Sequence, residues 1–338
     1  MKNSRLSVAL VALLCVTVTA NSMGRFKQFF QSSGFKRGFY KVCRTGNLGL
    51  TFGPGALGAY KTVQREKELE ALPDASGVVC DFVQEQMKAV GLDNPDQKIK
   101  ILTNQGYLSS FVSSSNRMML GVSDGQRDEL TALLQEREKI LLDQNNTSLF
   151  SALWQNGNKE RLQSIEQALD MYRYVIQHES NHIKNQDVPQ MAIMRCLIAP
   201  CLTHWGFKGL RKVAQMSKLI GPKNLNPGAL KSLSEIPAGL SKLGVVLGLN
   251  ITHARHVEQR ADDQVVDTKE ILMGGVRSMQ QGKSSMLAQT VIPSDFSPEQ
   301  QALFEMVFEA VIDPLHPTPT HRIIRFEERI AHLTEKKD

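Results

Sequence analysis

Two histidines, His178 and His182, lie four positions apart, with Glu179 directly after the first, in the run His-Glu-Ser-Asn-His. In an α-helix this spacing puts both imidazoles on one face, where each can give a nitrogen to the same Zn²⁺ while the glutamate acts as general base on a water that the metal activates. Apolar residues recur at spacings of three and four just before the motif, which predicts a helix over 158–186. This helix and its two ligands constrain the fold more than any other feature of the chain.

A second acidic element further along the chain provides a third ligand. Glu258 begins the run Glu-Gln-Arg-Ala-Asp, which ends at Asp262. A catalytic zinc needs three protein ligands and a water, so a carboxylate from a second helix completes a set of His178, His182 and Glu258. Asp262, one turn later, would accept the other ring N–H of a ligand histidine and fix its tautomer. The simpler alternative is a polar helix face whose histidines make ordinary hydrogen bonds, and this second element counts against it.

These motifs resemble those of the zinc metallopeptidases that include HtpX and the CAAX prenyl endopeptidases, with Ala261 before Asp262 as in the family pattern. A late His-Pro segment at 316–323 and an edge-strand pattern at 109–120 add to the resemblance, which covers residues 76–336. The resemblance implies a mainly α (α+β) fold of the zincin-like class, with an active-site helix and a small edge β-sheet. It also implies one Zn²⁺ per chain as the cofactor.

The resemblance further implies roles for individual residues. Glu179 would be the general base of a zinc-dependent endopeptidase that hydrolyses polypeptide substrates, in envelope-associated protein quality control or processing. His316 would donate to the oxyanion of the tetrahedral intermediate, and Arg322 would hold substrate backbone or orient its neighbours. The alternative for the late segment is a structural turn at Pro317 and Pro319 with a surface arginine.

The chain departs from the family pattern at three places. Ser109 stands where the family usually has Asn, and Asn181 replaces the usual Gly before the second histidine. Residues 124–177 form a long link between the edge strand and the metal motif, and we expect a helical insertion there. That insertion would be a lid, a partner surface or a plain structural hairpin. We also expect the strand at 117–120 to pair with an extended substrate by β-augmentation.

Local patterns predict the elements that precede the metal helix. Ser76 is expected to cap a helix whose apolar face ends at Gly91. Alternation at 98–102 predicts a half-buried strand, with 117–122 as its neighbour.

Two apolar stretches, at 191–205 and 236–251, lie between the metal motifs. Each is shorter than the roughly 20 apolar residues that a membrane span needs, so buried or interfacial helices are expected. Cys196, Cys201 and His204 lie within or beside the first stretch, but their spacing fits no familiar zinc pattern, and we expect ordinary core cysteines.

The amino-terminal region has its own charge pattern. The first 65 residues hold ten Lys and Arg and no Asp or Glu, so this region accounts for the net charge of +6. Residues 1–22 join basic residues to a short apolar core, which predicts a secretory signal peptide or an uncleaved anchor, with an organelle presequence as a third option. We therefore expect an exported or membrane-associated protein of the bacterial envelope or periplasm, or alternatively of an organelle such as the mitochondrion.

Residues 23–75 form a basic, aromatic and Gly-rich arm. Aromatic rings alternate with Lys and Arg at 25–44, a composition that suits the headgroup region of an anionic bilayer and predicts membrane-surface contact through residues 23–45. A poorly ordered basic arm is the alternative. Since no recognition motif accompanies the segment, no nucleic-acid partner is expected. The metallopeptidase domain then occupies 76–336.

Two other functions fit the same sequence. One is a zinc-binding chaperone or assembly factor that keeps the fold, cleaves little and grips clients with the region at 124–177. The other is a membrane-anchoring effector whose active part is the basic aromatic arm. Chelator-sensitive degradation of casein separates a protease from a chaperone, and liposome binding that is lost on deletion of residues 23–45 would identify the effector.

Overall fold

The described part of the chain is mainly helical and carries one small β-sheet, as the α (α+β) prediction requires. The computed structural model describes residues 45–53, 76–92, 99–102, 112–113, 120–146, 152–216, 227–288 and 297–335, with isolated positions at 57, 60, 64, 67, 71, 74 and 290. The predicted signal or anchor at 1–22 and the basic aromatic stretch at 25–44 lie outside the described residues.

The chain divides into two compact units. One comprises 1–53 and 204–244, and the other comprises 54–203 and 245–338, so every predicted site residue belongs to the second unit. The elements in chain order are α1 (Val78–Ala89), β1 (Ile99–Leu102), β2 (Val112–Ser113), β3 (Leu120–Ser123), α2 (Asp124–Asn146), α3 (Ala152–Lys184), α4 (Asp187–Ile193), a π-helical turn (Met194–Ile198), α5 (Ala199–Met216), α6 (Pro227–Asp263), α7 (Lys269–Leu287), α8 (Pro298–Ile312) and α9 (Pro319–Glu335).

Helix α1 has the predicted apolar face but not the predicted cap. Val83 and Met87 on that face are 0% and 2% exposed. Gly77, not Ser76, occupies the N-cap position, with φ at 83° and no side-chain cap hydrogen bond. The backbone there needs a left-handed conformation that glycine adopts without strain, so the Ser76 prediction was wrong. Gly91, with φ at 81°, follows the helix end as predicted.

The sheet has the strand order β1–β3–β2, so β3 is central. It pairs in parallel with β1, where Leu120 lies opposite Ile99, and antiparallel with β2, where Leu120 lies opposite Ser113. The strand predicted at 98–102 is confirmed. The expectation that the strand at 117–120 accepts an extended substrate was wrong at Leu120, because strands already lie on both sides of it.

The predicted helical insertion at 124–177 consists of α2 and the first part of α3. These helices pack against each other and against α1, and their buried residues belong to one hydrophobic core with the sheet, including Leu130, Ile140, Ile165 and Leu169. The ion pair between Arg137 and Glu166, at 2.5 Å, also joins the two helices. This packing supports a structural hairpin rather than a lid.

A second core lies where α3, α7 and α9 meet, and two glycines make it possible. A Cβ on Gly274 of α7 would lie 2.2 Å from the backbone oxygen of Asp170 in α3, and a Cβ on Gly275 would lie 3.0 Å from the Tyr174 ring. Tyr174 also packs edge-on against Phe326 of α9, with ring centroids 5.3 Å apart. The close approach of the helices therefore fixes Tyr174, which reaches the candidate site described below.

The apolar stretch at 236–251 contains one charged side chain, Lys242 of α6 in the first unit, which has a hydrogen-bond partner. Lys242 is 8% exposed, and its Nζ donates to Oδ1 of Asn47 at 2.9 Å. The stretch is helical, with Lys242 and Val246 buried, but Leu240, Val245 and Leu247 are 57%, 43% and 45% exposed, so the expected buried helix is found on one face only. Within the described ranges, none of the helices combines the length and the apolar character that a membrane crossing requires.

Candidate metal centre

Helix α3 presents both predicted histidine ligands on one buried face. His178 and His182 are 7% and 5% exposed, and their Nε2 atoms lie 3.1 Å apart. The side chain of Glu179, between them in sequence, is less buried. Ligand atoms of these three residues lie within 4.8 Å of one another. The four-residue spacing therefore brings two imidazole nitrogens and a carboxylate to one point, as the motif predicts.

Helix α6 adds the third predicted ligand, Glu258. Its Oε2 lies 3.2 Å from Nε2 of His178, and its Oε1 lies 3.5 Å from Nε2 of His182. Zinc–nitrogen and zinc–oxygen bonds of about 2.0–2.1 Å give tetrahedral edges of about 3.3–3.4 Å. The three donors, two imidazoles and one carboxylate, therefore fit the ligand set and the spacing of a tetrahedral zinc. Glu179 also lies within 4.8 Å of both histidines, so it is the motif, in which the glutamate is the base, that assigns the third position to Glu258.

Asp262, one turn after Glu258, lies behind the first histidine. Its Oδ1 is 2.9 Å from Nδ1 of His178, although the approach is too bent for a fully directed hydrogen bond. The same carboxylate accepts the Tyr174 hydroxyl at 2.8 Å, and Nη2 and Nε of Arg322 at 2.6 and 2.7 Å. Asp262 thus lies where the sequence predicts an outer partner of a ligand histidine.

Arg322 is a buried group within the site, not a surface arginine. It is 8% exposed, and besides Asp262 its Nη2 donates to the Tyr174 hydroxyl at 2.7 Å. Of the two roles expected for Arg322, orienting neighbours agrees with these contacts, because its guanidinium faces Asp262 and Tyr174 instead of an open cleft. The nearby positive charge, working against the effect of burial, holds the pKa of the Asp262 carboxyl well below its usual range.

His316 approaches from the turn between α8 and α9. Its Nε2 lies 3.4 Å from Oε1 of Glu258, and its Nδ1 lies 2.7 Å from Oδ2 of Asp313. The turn is tied to α6 because Nε of Arg255 donates to the Pro314 carbonyl at 3.0 Å. The side chain of His316 is 45% exposed. The predicted oxyanion donor therefore lies beside the three donors, at the open side of the site.

Asn181, the residue that replaces the usual Gly of the motif, connects the two ligand-bearing helices. It is 0% exposed, and its Nδ2 donates to the backbone oxygen of Ala261 at 3.1 Å. Gln177, one turn earlier on α3, accepts the backbone N–H of Val266 at 3.1 Å. Both contacts lie between α3 and the region that begins with Glu258, so they help to set the spacing of the donors.

Asp187 is a site residue that the sequence reasoning missed. It is 0% exposed, its Oδ2 lies 2.8 Å from Nδ1 of His182, and its Oδ1 pairs with Arg260. The signal for Asp187 was weak, an acidic residue five positions after the second histidine. Nothing in that spacing shows whether the side chain turns inward.

The charges of the centre favour a bound cation. Burial lowers the pKa of His182, but the carboxylates of Asp187 and Glu258 outweigh it and raise that pKa to about 10. Burial likewise raises the pKa of Glu258, but the three neighbouring imidazoles override it and hold that pKa well below its usual range. With neutral imidazoles, four carboxylates face two guanidiniums, namely Glu179, Asp187, Glu258 and Asp262 against Arg260 and Arg322. In the metal-free protein, protons on the imidazoles offset that charge, and a divalent cation bound in their place would offset it as well.

The two cysteines that follow the metal motif, which were expected to be ordinary core residues, lie outside this centre. Cys196 and Cys201 are partly buried. The group of possible metal ligands found among the described residues does not include them.

Comparisons with known proteins found no match of any kind. No protein-family model, no curated protein and no solved structure matches the chain.

Proposed function

We propose that this chain is a zinc-dependent endopeptidase with a zincin-like catalytic helix, similar to the HtpX and CAAX prenyl endopeptidase group. The observation that carries the proposal is the set of donor distances, in which Nε2 of His178, Nε2 of His182 and the Glu258 carboxylate lie 3.1–3.5 Å from one another. Those spacings suit a tetrahedral zinc, and the closeness of the Glu179 carboxylate, within 4.8 Å of both histidines, supports its role as the base.

The residues of the centre would share the work of peptide hydrolysis. His178, His182 and Glu258 hold one Zn²⁺, which when bound supplies an activated water and polarises the scissile carbonyl. Glu179 removes the proton of the attacking water and passes it to the leaving amine. His316, half exposed beside Glu258, donates to the developing oxyanion.

The buried polar groups behind the donors would keep this arrangement ready. Asp262 orients His178, while Arg322 and Tyr174 hold Asp262 in place through direct hydrogen bonds. Arg322 is thus a positioning residue that acts through Asp262. The amino-terminal signal pattern at 1–22 supports polypeptides of the cell envelope as substrates.

The first test measures metal and activity together. Purified full-length protein should hold one zinc per chain and degrade casein, and a chelator should abolish the cleavage until zinc is added back. Casein cleavage that is unaffected by complete removal of metal would contradict the proposal.

The second test separates the base from the ligands. Glu179→Gln keeps the shape of the side chain but cannot take a proton, so zinc content should stay unchanged while kcat falls by about 10²–10⁴-fold. Glu160→Gln, at an exposed position on the same helix, is the matched control and should cleave normally. Wild-type turnover in Glu179→Gln would remove Glu179 as the base.

A zinc-binding chaperone with little proteolysis is the second candidate, and an exposed apolar stripe on α8 favours it. Leu303, Val307 and Val311 follow one another at intervals of four residues and are 61%, 54% and 69% exposed. Such a stripe suits an unfolded client. Under this alternative, Glu179→Gln and wild-type protein suppress the aggregation of a denatured client equally, and neither degrades casein.

A further inference from the structure

Asp187 lies at a sharp turn that directs a buried carboxylate toward the metal centre. It is the first residue of α4, directly after the turn that ends α3. Gln186, just before it, has φ at 54° and is the one non-glycine residue with a positive φ among those that the structure describes. A left-handed glutamine costs free energy and persists where the surroundings impose it, which often happens at functional sites. The strain lies at the residue that aims Asp187 inward.

The Asp187 carboxylate joins two elements of the centre. One oxygen lies 2.8 Å from Nδ1 of His182, so the Nε2 atom of that ring faces His178 and Glu258. The other oxygen pairs with Arg260, which follows Glu258 by two residues on α6. One buried side chain therefore connects the second imidazole to the helix that carries the third donor.

We infer that Asp187 and Arg260 are positioning residues that hold His182 and the Glu258 helix in the metal-binding arrangement. The inference rests on the proposed function, since it concerns the same zinc site. The contact of Asp187 with His182 parallels that of Asp262 with His178. Arg322 and Tyr174 bind Asp262 as Arg260 binds Asp187. Each ligand histidine thus has its own carboxylate, and each carboxylate has its own guanidinium.

Arg260 is needed in this arrangement because Asp187 is fully buried. A buried carboxylate without a partner is costly, and its position would be less firmly fixed. Arg260 holds one oxygen of Asp187, and the other oxygen lies against Nδ1 of His182 and fixes that nitrogen as a hydrogen-bond donor. Asp187 and Arg260 would thus raise the zinc affinity by orienting His182, although neither residue is itself a ligand.

The test measures zinc affinity of the full chain by chelator competition and records the visible spectrum of the Co²⁺-substituted protein. Asp187→Asn should weaken zinc binding by about 10–100-fold, the usual effect of removing an outer partner of a ligand histidine, and should alter the Co²⁺ spectrum. Arg260→Gln should weaken binding by about tenfold, at the lower end of that range. Asp263→Asn is the matched control, because Asp263 lies on the same helix in an exposed pair with Arg325 and should leave affinity and spectrum unchanged.

A double variant separates positioning from simple stabilisation. Asp187→Asn with Arg260→Gln removes both charges, so the thermal stability of the metal-free protein should recover relative to Asp187→Asn alone. Zinc affinity should nevertheless stay low, because a neutral amide at position 187 orients His182 less firmly than the carboxylate did. If the double variant regains both stability and affinity, the two residues are structural only and the inference is overturned.

Other outcomes separate this inference from the proposed function. Wild-type zinc affinity and an unchanged Co²⁺ spectrum in Asp187→Asn overturn the inference even if the protein is a protease. If the wild-type protein binds zinc but cleaves no polypeptide, the proposed protease function is overturned. The comparison of zinc affinities then still decides the role of Asp187. A wild-type protein that binds neither zinc nor Co²⁺ overturns both. If Asp187→Asn does not fold, Arg260→Gln decides, and normal affinity in it counts against the inference.

Discussion

The two sides of the candidate metal centre are built differently. On the helical side, His178, His182 and Glu258 are at most 9% exposed, and buried carboxylates lie against both imidazoles. On the opposite side, His316 belongs to a turn and its side chain is 45% exposed. Under the proposed function this difference would separate two tasks, since donors that hold one ion gain from rigid preorganisation, while a group that meets a changing substrate gains from access.

The contacts of the buried side join α3 to α6 and the residues just after it, whereas those of the His316 turn hold a half-exposed segment. Asn181 and Gln177 tie α3 to the region of Ala261 and Val266. The His316 turn has its contact to Asp313 and the Arg255–Pro314 hydrogen bond. Variants on the buried side should therefore change metal binding and stability, and variants in the turn should change turnover.

The largest expected effect comes from the third donor. Glu258→Ala leaves two imidazoles and a void on the buried side, so zinc affinity should fall by more than the about 10–100-fold that loss of an outer partner causes. Zinc content after dialysis measures the change. Glu327→Ala, at an exposed position on α9, is the control and should retain its metal. Full occupancy in Glu258→Ala would refute Glu258 as the third ligand.

A variant in the His316 turn should lower turnover and leave zinc binding unchanged. His316→Ala removes an oxyanion donor but no assigned ligand, so kcat on a peptide substrate should fall by about 10²–10³-fold while zinc content stays at one per chain. His321→Ala, at an exposed histidine a few residues later, should leave kcat unchanged. Loss of zinc in His316→Ala would break the distinction between the two sides, because His316 would then belong to the ligand set.

A smaller effect is expected from the scaffold behind the buried side. In Gly274→Ala the new Cβ would lie 2.2 Å from the Asp170 backbone oxygen, so α7 must move away from α3. The free energy of unfolding should fall by about 1–3 kcal/mol. Gly282→Ala on the same helix meets nothing within 4 Å and should raise it by about 0.5–1 kcal/mol. Urea denaturation of metal-free protein tests the pair, and equal effects of the two variants would refute the close α3–α7 packing.

Sequence reasoning recovered the side of the centre that depends on helical spacing. The interval between His178 and His182 places both rings on one face in any regular helix, and the Glu258 element followed from the number of ligands that zinc needs. Sequence reasoning missed Asp187 because the inward direction of its side chain depends on the left-handed backbone of Gln186. A pattern of helical spacing does not predict such a backbone conformation. The edge-strand expectation failed at Leu120 for a related reason, since alternation predicts a strand but not its neighbours.

When no metal is bound, protons occupy histidines on both sides of the centre. Burial lowers the pKa of His316, but Asp313 and Glu258 outweigh it and raise that pKa to about 10, as Asp187 and Glu258 do for His182. Both values exceed the about 6.5 of an unfolded histidine. The two groups therefore stabilise the metal-free fold fully below about pH 6.5, and this contribution is lost as the pH rises through about 10.

The urea midpoint of metal-free protein should accordingly fall between about pH 7 and about pH 10, because the unfolded state releases these protons near pH 6.5 while the folded state keeps them until about pH 10. In His316→Gln the urea midpoint should fall less steeply with pH, since residue 316 then has no proton to lose. The buried His182 still makes its own pH-dependent contribution to stability. Lysines and tyrosines titrate in the same range in both proteins, so the difference between the two slopes isolates His316. Equal slopes would mean that the folded turn does not hold the His316 proton, and the contacts to Asp313 and Glu258 would then contribute nothing to stability.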